Sequence, residues 1–247
     1  MRVICCDGLT GAGPRFEPFK RYIEGDLRSN IEVLIANTRD IATHQDRIDR
    51  VLYEIAKLDL DEDFILVGFS AGGSAVRVCA EQILTLRISS ARLKGLVLIS
   101  PAMPRGILCF TPTLIKYMIK HLLPLISSKG ELRLTKQEIL DLMSPASMYE
   151  NSVVKDSIPI SLPEANELAF RPPRLGSLKN LPILYLHGRN DRWVSPRAHA
   201  KFVAALRTGL ARVTNIQYDF GHDVLYSTWA SEAMIAIRCF ISTLTQT

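Results

Sequence analysis

Four short runs in the first hundred residues are apolar without a break: Val3-Ile4-Cys5-Cys6, Val33-Leu34-Ile35-Ala36, Phe64-Ile65-Leu66-Val67 and Leu96-Val97-Leu98-Ile99. A strand with one wet face alternates apolar and polar side chains, whereas an unbroken run suits a strand covered on both faces of a parallel sheet. Between the second and third runs, Ile48, Val51, Leu52, Ile55 and Leu58 recur at the spacing of one helix face. After the third run, Val76, Cys79, Ile83 and Leu86 do the same. Strand, helix, strand, helix is the order of βαβ units. The order resumes late in the chain with Ile183-Leu184-Tyr185-Leu186, a helical segment over Ala198 to Leu206, a strand-like run from Ile216 to Phe220, and a closing helix from about Trp229 to Leu244. Together these predict an α/β fold, a doubly wound and mostly parallel sheet of about six strands.

The pattern breaks between about Ala102 and Phe170, where helical stretches rich in Leu, Ile and Met are punctuated by prolines and no strand-like run stands out. We therefore expect 1–101 and 171–247 to form one core, and 102–170 a helical cap or lid inserted into it. A chain of 247 residues is long enough for such a domain with its insertion. The apolar stretch from Gly106 to Ile126 is interrupted by Pro112, Lys116, Lys120, His121 and Pro124, which suits a membrane span poorly, so no stable membrane insertion is expected. The run Met1 to Cys6 is too short for the apolar region of a secretory signal. Five cysteines without paired spacing fit a reducing compartment, and we expect a cytoplasmic protein. A formal charge of +5 is too mild for a dedicated nucleic-acid binder. No histidine or cysteine spacing suits a metal, and Asp59, Asp61, Glu62 and Asp63 read as a polar loop; no cofactor is expected.

The third run is followed at once by Gly68-Phe69-Ser70-Ala71-Gly72 and then by the helical Val76 segment. A serine on a sharp strand-to-helix turn is lifted clear of the sheet, and small residues two positions to either side are needed to let the backbones approach. The following helix N-terminus points partial positive charge at the place where substrate charge develops. Such a serine needs a base and a group to orient that base. His222, in Phe220-Gly221-His222-Asp223 after the last strand, is the candidate base. His44, His121 and His199 sit at mostly polar helical positions and read as surface residues, and His187 as a turn residue. Asp191, in the loop after the Ile183 run, is the candidate acid, with Asp219 and Asp223 as competitors too near His222 in sequence for easy geometry.

The order Ser70, Asp191, His222 resembles that of the α/β-hydrolase superfamily, and the resemblance covers nearly the whole chain outside the insertion. It implies a triad at the carboxyl ends of the strands and a cap inserted after the strand that ends at Ser100. Two departures accompany it. Six runs stand where the family core has eight strands, with no sign of the N-terminal hairpin. Asp7-Gly8-Leu9-Thr10-Gly11 stands where the family commonly has His-Gly. The oxyanion donors would then be the backbone N–H groups of Leu9 and Ala71, which do not depend on side chain. Asp7 would either add a carboxylate near the site or cap the turn at Gly8.

The implied chemistry is hydrolysis of an ester or thioester of a small to medium apolar acyl or aromatic group through an acyl-enzyme on Ser70. The same triad on this scaffold also serves lyases, cyclases, acyltransferases and carbon–carbon hydrolases. Phe69, Met103, Phe110, Met118 and Val194 are the candidate substrate contacts; adaptable Met and aromatic side chains suit an acyl pocket, and a cap core of its own is the competing reading. Between Arg171 and Arg212 nine basic residues face one acidic residue, Asp191. That stretch could steer an anionic or carrier-linked substrate, or be a solvated helix face.

Overall fold

Each of the six apolar runs forms a strand. The computed structural model describes residues 1–8, 16–25, 30–38, 41, 43–59, 61–86, 92–102, 111–120, 131–143, 157–161, 174–228 and 230–245. Strands β1 (Arg2–Cys6), β2 (Glu32–Ile35), β3 (Phe64–Phe69), β4 (Leu93–Ile99), β7 (Pro182–Gly188) and β8 (Arg212–Tyr218) make one sheet in the order β2-β1-β3-β4-β7-β8. All five pairings are parallel. The strand β8 begins before its apolar run because it lies at the sheet edge, where polar Thr214, Asn215 and Gln217 can face water.

Successive side chains on a strand point to opposite faces, and here each face has its own core. Ile4, Cys6, Leu66, Leu98 and Tyr185 pack with Ile48 and Val51 of α2 (His44–Ala56), Val76, Cys79 and Ile83 of α3 (Ala71–Leu86), and Phe202 of α6 (Pro196–Thr208). Val3, Cys5, Val67, Val97 and Leu184 pack on the other side with Phe16, Phe19 and Ile23 of α1 (Phe16–Glu24) and Ala233, Ile237 and Ile241 of α7 (Ala230–Thr245). Burying a Val, Leu or Ile side chain contributes about 1.5–3 kcal/mol, so a strand covered on both faces draws on every residue rather than every second one. The predicted helix faces fall inward except for Leu86, which is 64% exposed at the end of α3.

The segment after β4 departs from expectation. It contains helices α4 (Pro112–Lys120) and α5 (Lys136–Met143), but also an antiparallel pair, β5 (Glu131–Thr135) with β6 (Ser157–Ser161). So the described part of 102–170 is not purely helical. Glu-Leu-Arg-Leu-Thr and Ser-Ile-Pro-Ile-Ser do alternate, placing Leu132 opposite Ile160 and Leu134 opposite Ile158. Two apolar residues per strand, with a proline in one, are too short a pattern to stand out among the surrounding leucines. The strand β7 lies directly beside β4, so the chain leaves the sheet and re-enters at the neighbouring position. Among the described residues, no helix is long and apolar enough to cross a membrane.

Candidate active site

Ser70 is the single residue between the end of β3 and the start of α3, and its φ is +52°. A non-glycine residue held in the left-handed region costs about 1–3 kcal/mol and persists only where its surroundings over-determine it. Here they do. The Ser70 N–H donates to the Ile99 carbonyl at 2.9 Å, and the Ser70 carbonyl accepts from Ala102 N–H at 2.8 Å. A Cβ on Gly68 would lie 2.5 Å from both the Gly72 carbonyl oxygen and Val76 Cγ2, and one on Gly72 would lie 2.5 Å from the Asp7 carbonyl oxygen. The two glycines let β1 and α3 close around the turn.

His222 lies in the loop after β8, 1% exposed, with Nε2 2.9 Å from Ser70 Oγ and Nδ1 2.8 Å from Asp191 Oδ2. The carboxylate can only accept, which places the His222 hydrogen on Nδ1 and leaves Nε2 to accept the serine hydroxyl. Asp191 follows β7, and its Oδ1 accepts from Trp193 N–H at 2.8 Å and Val194 N–H at 2.9 Å. Burial pushes the Asp191 carboxyl up, but the facing His222 imidazole and hydrogen bonds from His199 and His222 outweigh it, holding the group well below the usual carboxylate range. The competing acids are engaged elsewhere: Asp219 accepts from the Asn190 side chain, and Asp223 from Leu225 N–H.

Two histidines assigned to the surface are buried instead. His44 opens α2 at 0% exposure. His199, on α6, is also 0% exposed, with Nε2 3.1 Å from Asp191 Oδ2 and Nδ1 2.7 Å from the Tyr185 hydroxyl. His199 shares a helix face with Phe202, Val203 and Leu206, three, four and seven residues further on, and that spacing was the signal that could have placed it inside. His121 lies outside the described residues. His187 is buried at the end of β7, stacked on His199 with ring centroids 4.7 Å apart, and burial lowers its pKa to about 4. Arg47 of α2 is a second site neighbour that periodicity did not single out. It is 1% exposed and donates from Nη1 to the carbonyls of Asp7 and Gly8 at 3.0 Å each. Asp7 is buried and its Oδ1 accepts from Gly8 N–H at 2.6 Å, the turn-capping geometry.

Ala71 is the first residue of α3, where backbone N–H groups have no acceptor within the helix. Leu9, Met103 and Phe110 lie outside the described residues, as does the Met118 side chain on α4. Phe69 packs in the core beneath His222, ring centroids 5.2 Å apart, and Val194 in the opposite core. Both back the site from within the core.

The acid loop is tied to the inserted segment. Thr111, capping α4, donates its hydroxyl to the Arg192 carbonyl and its N–H to the Trp193 carbonyl. Arg192 Nη1 meets Asp141 Oδ1 of α5 at 2.5 Å, and Tyr117 donates to Asp141 Oδ2 at 2.6 Å. The charge of Arg192 is thus paired within the fold, and Arg189 remains exposed.

No family model matches the chain, and no curated protein matches it in sequence. Many solved structures match its shape. The monoacylglycerol lipase of Paleococcus ferrophilus superposes with a TM-score of 0.69 at 19% identity, over 98% of this chain and 94% of the lipase. A thermophilic esterase from Thermogutta terrifontis gives 0.63 at 18% identity over 99% and 90% of the two chains. A mutant polyneuridine aldehyde esterase gives 0.62 at 17% identity over 96% and 98%. With its parallel six-stranded sheet and serine-bearing strand-to-helix turn, this chain has the fold of the α/β-hydrolase superfamily.

Proposed function

We propose that the protein is a serine hydrolase that cleaves an ester or thioester of a small to medium apolar acyl or aromatic group. The observation that carries this reading is the unbroken chain from Ser70 Oγ through His222 to Asp191. Ser70 Oγ attacks the substrate carbonyl as its proton passes to His222 Nε2. The resulting imidazolium is stabilised by Asp191, and the oxyanion is met by the N–H groups of Ala71 and Leu9. Collapse breaks the bond to the leaving alcohol or thiol, which takes the proton from His222. Water, deprotonated by His222, then attacks the acyl-enzyme; collapse breaks the acyl bond to Ser70 Oγ, which takes the proton back from His222 as the acid leaves. The esterase and lipase descriptions of the structural neighbours support the ester class.

In this reading, residues 102–170 form a cap over the acyl group, supported by the hydrogen bonds of Thr111 and Asp141 to the acid loop. The pairing of Arg192 with Asp141 leaves exposed Arg189 as the basic neighbour of Asp191 that could meet an anionic or carrier-linked substrate.

The test is labelling of Ser70 by a fluorophosphonate, followed by a panel of esters and thioesters of graded acyl length in 18O-labelled water. The expected result is label on the wild type and none on Ser70→Ala, a loss of roughly a thousandfold or more in turnover for that variant, and one labelled oxygen in the released acid. Turnover surviving in Ser70→Ala, or product without solvent oxygen, overturns the proposal.

A further inference from the structure

Asp191 serves two imidazoles, and the hydrolytic scheme uses only one. Its Oδ2 accepts from His222 Nδ1 at 2.8 Å and from His199 Nε2 at 3.1 Å. Its Oδ1 is already occupied by the N–H groups of Trp193 and Val194. The acceptor-only carboxylate places the hydrogen of neutral His199 on Nε2, so its Nδ1 accepts the Tyr185 hydroxyl hydrogen, 2.7 Å away. A single polar line therefore runs from Tyr185 through His199 to Asp191, and from there through His222 to Ser70. His199 and Asp191 side chains are both fully buried.

We propose that His199 is a positioning residue for the triad: it pins Asp191 Oδ2 and, by sharing that oxygen, weakens the hold of Asp191 on protonated His222. The proposal rests on the hydrolytic reading of Ser70, His222 and Asp191. Two consequences follow from elementary electrostatics. A carboxylate oxygen with two donors has less negative charge to offer each of them, so removing the His199 donor strengthens the bond that Asp191 makes to His222. The side chains of His199 and Asp191 are both buried away from solvent, so the difference is larger than it would be at the surface. A cation on His199 would also stand beside the imidazolium of His222 across one shared oxygen, and like charges that close repel. Among the described residues, the titratable groups facing that pair are Tyr185 and His187 from β7, Asp191 from the loop after it, and the Ser70 hydroxyl; Phe69 and Trp193 supply aromatic faces. His187, with its pKa at about 4, is an uncharged spacer against His199 near neutral pH.

The experiment compares wild type, His199→Phe and His199→Gln as full chains. Phe keeps the ring volume without a donor; Gln can still donate an amide hydrogen toward Asp191. For His199→Phe we expect the acid limb of kcat/KM to move up by about half to one pH unit, kcat to fall about tenfold with KM unchanged, and the Nδ1–H resonance of His222 to titrate at correspondingly higher pH. His199→Gln should recover much of the wild-type profile. A pH profile and His222 titration identical to wild type in His199→Phe, with only the melting temperature lowered, would overturn the proposal. If His199→Phe does not fold, Tyr185→Phe removes the hydroxyl that anchors the far side of the His199 ring and so loosens its donation to Asp191. A shift in the same direction then supports the proposal, and an unchanged profile refutes it. The His222 titration is independent of turnover, so it still decides the matter if Ser70→Ala proves harmless and the hydrolase reading alone fails.

Discussion

The turn that carries Ser70 and the loop that carries Asp191 hold their side chains by opposite means. The serine is held sterically: two glycines flank it because the carbonyls of Asp7 and Gly72 leave no room for a Cβ, and backbone hydrogen bonds lock the strained φ. The aspartate is held by polar contacts, from its own loop through Trp193 and Val194, from α6 through His199, and from the loop after β8 through His222. That loop is in turn tied to α4 and α5 through Thr111 and Asp141. A steric device tolerates almost no substitution, whereas a network with several members loses function in steps.

Substitution at the steric device gives the largest expected effect. Gly72→Val should abolish turnover and lower stability by about 1–3 kcal/mol or more, because the backbone of β1 must move to admit the side chain. Gly176→Ala, at a position with nothing within 4 Å of the new Cβ, should stay within about 0.5 kcal/mol of wild type. Urea melts of the two variants check this; similar losses in both would mean that the turn is not sterically locked.

A smaller effect is expected at the junction between the acid loop and the insertion. Thr111→Val combined with Arg192→Met removes the hydrogen bonds from Thr111 Oγ1 and to Asp141 while leaving the Trp193 and Val194 bonds to Asp191. Turnover on a small ester should fall about threefold to tenfold, with fluorophosphonate labelling of Ser70 slowed in proportion. Unchanged rates on both would show that the loop holds Asp191 by itself and that the junction is packing only.

The smallest effect concerns stability against pH. The pKa of His187 is lowered to about 4 in the fold, against 6.5 as its ordinary value. Between those values the unfolded chain binds the extra proton, so this histidine makes stability fall as pH drops from about 6.5 towards 4. His187→Leu should flatten that part of the profile in thermal melts taken across the window. An equally steep profile in the variant would assign the slope to other groups.

What could be read from the residues and what could not divides along the same line as the two holding devices. Steric demands leave local marks: the continuous apolar runs, the glycines around Ser70 and the turn before His222 all lie within a few residues of what they position. Polar networks leave none. His199 meets Asp191 from another element, and Arg47 reaches Asp7 from 40 residues away. The stripe of Phe202, Val203 and Leu206 marks the inner face of α6, but nothing in the spacing names the partner that lets a polar side chain stay there. The strands β5 and β6 escaped for a different reason: among the described residues they pair only with each other, and they carry just two apolar side chains apiece.

The place where β7 lies against β4 divides the site as well as the sheet. Residues 2–99 build four adjacent strands and carry Ser70; residues 182–245 build the other two and carry Asp191 and His222. The halves meet along four paired positions, from Leu96 with Ile183 to Ile99 with Leu186. Because the entropy of closing a loop grows only logarithmically, about 0.6 kcal/mol per doubling of length, the excursion between the halves can lengthen or shorten at little cost to the seam. A chain severed inside that excursion would keep every strand pairing except the covalent tether across it. Turnover would then serve as a fragment-complementation signal, absent from either piece and restored when the two re-dock.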